Sequence, residues 1–125
     1  MTKFFICGRC GNIIDLVKNG GGPLVCCGKP MDELVANTTE ASTEKHLPHV
    51  TKTENGIHVQ VGSVVHPMEE AHHIEFIYVE TKNGGQRVNL GSGDTPEADF
   101  YFAGTRPVAA YEYCNLHGLW KTELN

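Results

Sequence analysis

From residue 44 onward, apolar and polar side chains alternate in short runs. In Ile57-His58-Val59-Gln60-Val61 every second residue is apolar, and Phe100 and Phe102 alternate with Asp99 and Tyr101. A period of two places successive side chains on opposite faces of a strand, so one face is set to be buried. The pattern predicts strands at 47–53, 57–65, 74–81, 86–90, 98–103, 108–113 and 119–123. Asn55-Gly56 and Asn83-Gly84-Gly85 are strong turn signals between such runs. Short antiparallel strands at this spacing predict an all-β, immunoglobulin-like sandwich, and about 80 residues are enough to enclose a core. No stretch carries the period of a long amphipathic helix, and there is no internal repeat.

The start of the chain reads differently. Residues 1–36 are rich in Gly and Cys, and their apolar stock is thin: Phe4, Phe5, Ile6, Ile13, Ile14, Leu16, Leu24 and Val25. Below roughly 40 residues a chain usually needs a metal, a disulfide or a partner to fold. A metal is therefore a structural requirement here before it is a functional one. Residues 37–43 are polar without an apolar period and read as a linker, and 44–125 form the sandwich.

Composition narrows the classes of function. Hydrophobic residues are 40% and charged residues 20% of the chain, as in ordinary soluble globular proteins. A formal net charge of −5 argues against a general nucleic-acid binder, which needs a basic surface. No apolar run approaches the roughly 20 residues that span a bilayer. The first residues, Met1-Thr2-Lys3-Phe4-Phe5-Ile6-Cys7, show no long apolar segment and no cleavage site, so a cytoplasmic location is expected. Five cysteines, an odd number in a chain without a secretion signal, argue against a disulfide framework and for metal binding or catalysis.

Four of those cysteines form one candidate metal group. Cys7-Gly8-Arg9-Cys10-Gly11 is a chelating knuckle, with glycines that let the backbone fold under an ion. Cys26-Cys27-Gly28 supplies two more thiolates. Adjacent cysteines on an extended backbone point to opposite faces, so the chain must turn there for both to reach one ion, and Gly28 favours such a turn. Four thiolates suit Zn(II) or a single iron.

The fifth cysteine belongs to a second group. Cys114-x-x-His117 ends a predicted strand, and His46, His66 and His72 lie near turn positions upstream. Pro48 and Pro67 stiffen the backbone beside His46 and His66. Any one of these histidines alone is an ordinary surface or core residue. Four of them together with a leftover cysteine form a candidate metal site. His49, His58 and His73 are the expected bystanders, His58 because it sits on the polar phase of its strand. A blue-copper carrier accounts for Cys114 and His117, but Gly118-Leu119-Trp120-Lys121 holds no methionine and the other histidines are too many. A zinc-stabilised binding module and an iron electron-transfer protein without catalysis are the other readings open at this point.

Taken together, Cys7-x-x-Cys10 with Cys26-Cys27, Glu44-Lys45-His46-x-Pro48, His66-Pro67-Met68-Glu69-Glu70-x-His72 and Cys114-Asn115-x-His117-Gly118 resemble desulfoferrodoxin, the two-iron superoxide reductase family. The resemblance covers nearly the whole chain, and the order and spacing of the motifs are specific. It implies a desulforedoxin-like module, in which Cys7, Cys10, Cys26 and Cys27 hold the first iron. It implies a second iron with His46, His66, His72 and His117 in the equatorial plane and Cys114 as the axial thiolate. It implies one-electron reduction of superoxide to hydrogen peroxide at an open sixth position. Glu44 matches a residue that binds the ferric ion after turnover, and Lys45 one that attracts superoxide. A homodimer and an electron donor such as rubredoxin follow from the same resemblance. His49 and Leu119 depart from the family's usual residues and leave the ligand set intact. Glu112, two before Cys114, lies on the strand face opposite Tyr111 and Tyr113 and is expected near the site or a dimer contact.

Overall fold

The structure is a computed structural model that describes residues Thr2 to Leu124. The chain divides into two compact units, with the boundary between Val35 and Ala36. The first unit is built from very short strands: β1 (Phe4–Ile6), β2 (Ile13–Asp15), β3 (Val25–Cys26), β4 (Lys29–Pro30) and β5 (Asp32–Leu34). β1 lies antiparallel between β2 and β5, and β3 and β4 form a separate hairpin. Among its described residues only Phe4 and Cys7 are fully buried apolar side chains. Burying one Phe stabilises by no more than about 3 kcal/mol. That is far short of the entropy cost of ordering a unit of this length.

The second unit opens with α1 (Thr43–His46), a single helical turn. β6 (Pro48–Lys52), β7 (Gly56–Val61), β8 (Ile74–Thr81), β9 (Gly84–Asn89), β10 (Glu97–Tyr101), β11 (Pro107–Cys114) and β12 (Gly118–Glu123) follow. These strands form two antiparallel sheets, β10-β7-β6 and β12-β11-β8-β9. Ile57, Val59 and Val61 of β7, Phe100 of β10, and Ile74, Ile77 and Val79 of β8 join in one core cluster with Ala110 and Cys114 of β11. The alternation along β7 is therefore the inward face of one sheet, and His58 faces outward as its phase predicts. There it is held by Asp99 at 2.7 Å and Glu97 at 3.2 Å.

One predicted strand is too long. The run 57–65 leaves the sheet at Val61, because Gly62 packs directly under α1. A Cβ at Gly62 would sit 2.6 Å from the Glu44 carbonyl oxygen, an approach that only glycine permits. The chain then turns, and the His66 N–H donates to the Val61 carbonyl at 2.8 Å. The polar stretch before α1 is also fastened down. The Asn37 side chain donates to the Lys121 carbonyl at 3.1 Å and accepts from the Lys121 N–H at 2.9 Å.

Candidate metal centres

Cys7, Cys10, Cys26 and Cys27 bring their sulfurs within 4.8 Å of one another, and all four are free thiols. The knuckle closes after β1 through the Gly11 N–H to the Cys7 carbonyl at 2.9 Å, and the Cys10 N–H points at the Cys7 sulfur, 3.4 Å away. The adjacent cysteines converge because the backbone turns where the sequence demands it. Cys27 adopts a left-handed conformation with φ of 52°, and Gly28 follows with φ of 75°. The Cys10 and Cys26 sulfurs are 3.6 Å apart. Sulfurs about 2.3 Å from a central ion lie about 3.8 Å apart in a tetrahedron, so the donor set fits a tetrathiolate metal. The N–H groups of Cys10 and Arg9 draw the Cys7 thiol down to about 6. The Cys10, Cys7 and Cys26 side chains push Cys27 up to about 12. Four thiols this close cannot all ionise unless a cation sits between them.

In the second unit, His46 comes from the end of α1, His66 and His72 from the long β7–β8 connection, Cys114 from the end of β11 and His117 from the β11–β12 turn. The four imidazoles form a square. Ring centroids along its sides are 4.7 Å (His46–His66), 4.6 Å (His66–His72), 5.1 Å (His72–His117) and 4.9 Å (His117–His46). Neighbouring rings stand nearly perpendicular, at 78° to 89°. The diagonal pair His46–His72 is 6.4 Å apart and closer to parallel, at 29°. Donor atoms of His46, His72, Cys114 and His117 lie within 4.8 Å of one another. The His66 Nε2 joins them at 3.2 Å from the His46 Nε2 and 3.4 Å from the Cys114 sulfur.

The nitrogen lone pairs decide what this square can hold. The His46 Nδ1–H donates to the Ser42 carbonyl at 2.7 Å, and the His66 Nδ1–H donates to the Pro67 carbonyl at 2.7 Å. A carbonyl only accepts, so each Nδ1 carries the proton and each Nε2 presents a lone pair. Burial lowers the pKa of both rings, that of His66 to about 4, and both are neutral at pH 7. Their Nε2 atoms therefore face each other as two bare lone pairs at 3.2 Å. The His117 Nδ1 points at the same spot, 3.1 Å from the His46 Nε2, and the His72 Nε2 is buried without a hydrogen-bond partner. Converging lone pairs repel unless an electrophile lies between them. Nitrogen ligands about 2.1 Å from an ion lie about 3.0 Å from their neighbours in a square, so the set fits a first-row metal.

The Cys114 sulfur is fully buried beside this square. Burial raises its pKa, while the backbone N–H groups of Leu116 and His117 hydrogen-bond it and pull the other way. His72 and His117 are half-buried, which leaves the square within reach of solvent. Glu44 and Lys45 are both exposed on α1. The Glu44 carbonyl accepts from the Val64 N–H at 2.9 Å and the Ser63 hydroxyl at 3.2 Å, which fixes the turn against the β7–β8 connection. The Glu44 carboxylate accepts from the Ser42 hydroxyl at 3.5 Å and is not among the converging donors. Burial lowers the pKa of His72 as it does that of His46, and the Lys45 charge adds a smaller push in the same direction on both rings.

Sequence reasoning missed one support, Trp120, and left the burial of Glu112 unseen. Trp120 stacks on His46 with centroids 5.0 Å apart, and its Nε1–H donates to the His117 carbonyl at 3.1 Å. Glu112 is completely buried on β11, opposite Ile77 and Trp120, and neither carboxylate oxygen has a hydrogen-bond partner. Burial holds its carboxyl well above the usual range. Of the bystanders, His49 is exposed, and His73 pairs with Glu75 at 3.4 Å.

Comparison with known proteins gives the same outline in both units. The family model described as "Desulfoferrodoxin, N-terminal domain" matches residues 2–34, and that described as "Desulfoferrodoxin" matches residues 38–123. The desulfoferrodoxin of Syntrophotalea carbinolica is 51% identical over 121 residues, covering 97% of this chain and 95% of the relative. That of Nitratidesulfovibrio vulgaris is 47% identical, with the same coverage of 97% and 95%. The superoxide reductase of Treponema pallidum superposes with a TM-score of 0.82 at 30% identity, covering 98% of this chain and 99% of that one. The superoxide reductase (1Fe-SOR) of Giardia intestinalis superposes with a TM-score of 0.56 at 29% identity, covering 66% of this chain and 98% of its own.

Proposed function

The chain belongs to the desulfoferrodoxin family, and from that premise we propose how its own residues reduce superoxide. It is a superoxide reductase that binds two irons. We assign the first iron to Cys7, Cys10, Cys26 and Cys27. We assign the second to the Nε2 atoms of His46, His66 and His72, the Nδ1 of His117 and the Cys114 thiolate. The observation that carries the second assignment is the pair of unprotonated Nε2 atoms of His46 and His66 facing each other at 3.2 Å.

Ferrous iron in that square supplies one electron and a Lewis-acid position for a small anion. The rest is done by the chain. Neutral imidazoles add no charge and the Cys114 thiolate adds one negative charge, so a ferrous ion held there would keep a net charge of about +1 toward an incoming anion. Lys45, exposed on α1, provides a local positive potential in a protein of net charge −5 and draws superoxide toward the square. The amides of Leu116 and His117 hold the Cys114 thiolate and limit how much electron density it releases. Glu44, exposed on α1 two residues before His46, is the carboxylate we assign to the ferric form, which it would bind once released from Ser42. The balance is one superoxide, one electron and two protons to one hydrogen peroxide. Solvent beside the half-exposed His72 and His117 supplies the protons.

The family resemblance extends the proposal to a homodimer, to a cytoplasmic setting and to a small redox protein such as rubredoxin as electron donor. The test of the activity is stoichiometry. Reduced, iron-loaded protein is mixed with a known dose of superoxide under argon. The proposal expects one hydrogen peroxide per superoxide consumed, one oxidised second centre, and no dioxygen. Evolution of dioxygen, at one per two superoxides, would mark dismutation and reject the assignment.

A further inference from the structure

Two of the four imidazoles, those of His46 and His66, are held by ring hydrogen bonds to backbone carbonyls. His46 and His66 each donate from Nδ1 to a carbonyl, at 2.7 Å in both cases. The carbonyl of His117 is gripped by the Trp120 indole at 3.1 Å. The His72 ring has no such bond: its Nε2 is buried and partnerless. His72 also sits in the long β7–β8 connection, which has no regular structure around it. Its position is set through its backbone, where the His72 N–H donates to the Glu69 carbonyl at 3.2 Å and the His72 carbonyl accepts from the Glu69 N–H at 2.9 Å.

Those two bonds lie within the connection itself, and Asn115 adds a restraint that ties it to the β11 side of the site. Its Nδ2 donates to the Ala71 carbonyl at 3.0 Å, its Oδ1 accepts from the His73 N–H at 2.9 Å, and its own N–H donates to the His73 carbonyl at 3.2 Å. The three bonds bracket His72 between its two chain neighbours. They start from the residue next to Cys114, so they tie the β7–β8 connection to the thiolate's own backbone. Exchanging the amide oxygen and nitrogen would lose both side-chain bonds, so the orientation is fixed by its partners.

We propose that Asn115 is a positioning residue for His72, which it holds at a set distance from Cys114 by bracketing it through Ala71 and His73. The proposal rests on His72 being a ligand of the second iron. It gives the Asn of Cys114-Asn115-x-His117 a task distinct from that of the two ligands beside it. Partners of this kind that orient a ligand are typically worth about 10- to 100-fold in metal affinity.

The test is a double-mutant cycle on the full-length, iron-loaded protein. The readouts are retention of ferrous iron by the second centre against a chelator and the paramagnetic resonance signal of the oxidised centre. Asn115→Ala should weaken retention about 10- to 100-fold and broaden or shift the signal. Asn115→Asp keeps the acceptor for the His73 N–H and should fall between Asn115→Ala and wild type. In a His72→Ala background, Asn115→Ala should change retention less than about twofold, because the residue it acts through is gone. Wild-type retention and signal in Asn115→Ala, alongside a clear loss in His72→Ala, would overturn this proposal while leaving the ligand assignment intact. An equal loss from Asn115→Ala in both backgrounds would overturn it too, by showing a general effect on folding. Wild-type retention in His72→Ala would overturn both. Should Asn115→Ala not fold, the same cycle run with Asn115→Asp decides the matter.

Discussion

The thiolate centre takes all four donors from one end of the chain and sits in a unit with almost no core. The imidazole centre gathers five donors from a helical turn, a strand end and two connections between residues 46 and 117, beside a well-filled sandwich core. In the first unit Phe4 and Cys7 are the only fully buried apolar side chains among the described residues, and Cys7 is itself one of the four converging thiols. In the second, Phe100, Ile74, Ile77, Val59, Val61 and Val79 are buried to within 1% exposure before any ligand is counted. The difference teaches that one metal builds its fold, whereas the other is received by a fold that already exists. Pre-formed lone pairs at 3.2 Å need a scaffold strong enough to hold them together against their repulsion.

The largest expected effect breaks the units apart energetically. A structural tetrathiolate metal contributes on the order of 10 kcal/mol to folding. Cys10→Ser, or removal of the first metal, should therefore abolish amide protection in β1, β2 and β5. Protection in β7, β8 and β11 should persist. Hydrogen exchange followed by NMR reads both at once, and surviving protection in β1 would erase the contrast. Next comes the sandwich core. Phe100 is 1% exposed, and Phe100→Ala should cost about 3–5 kcal/mol in a denaturant titration. The visible absorption of the first centre should be unaltered, and a parallel loss there would mean that the units share their stability. Lys45→Ala is smaller, about a tenfold slower capture of superoxide with a flatter dependence on ionic strength. An unchanged second-order rate would remove Lys45 from the mechanism. The smallest is Glu44→Ala, which should leave the first reduction step at its wild-type rate. It should alter only the absorption spectrum of the oxidised second centre, and an identical spectrum would count against Glu44 as a ligand.

How much of this was legible in the sequence follows from the same contrast. The sandwich strands were readable because β7 and β10 alternate over enough residues to show a period of two. The overrun past Val61 arose because Val64 and Val65 prolong an apolar run, while the feature that ends the strand is the close approach of Gly62 to α1, a tertiary contact. The strands of the first unit are two or three residues long and carry no period at all. The ligand residues could be picked out from their spacing and the family resemblance. The choice of nitrogen could not, since it is made by the carbonyls of Ser42 and Pro67 and is visible only when the chain is folded. Glu112 was placed on the correct face of β11. Its complete burial was hidden because that strand lies inside the sheet, with Tyr111 and Tyr113 covered on the opposite face.

The claim on which the account turns is that five particular atoms close around one iron. Anomalous diffraction at the iron edge, on crystals of the iron-loaded protein, tests it directly. The account predicts a peak enclosed by the Nε2 atoms of His46, His66 and His72, the Nδ1 of His117 and the Sγ of Cys114, besides a separate peak among the four N-terminal thiolates. A second peak away from that square, or a ring bound through the opposite nitrogen, would contradict it.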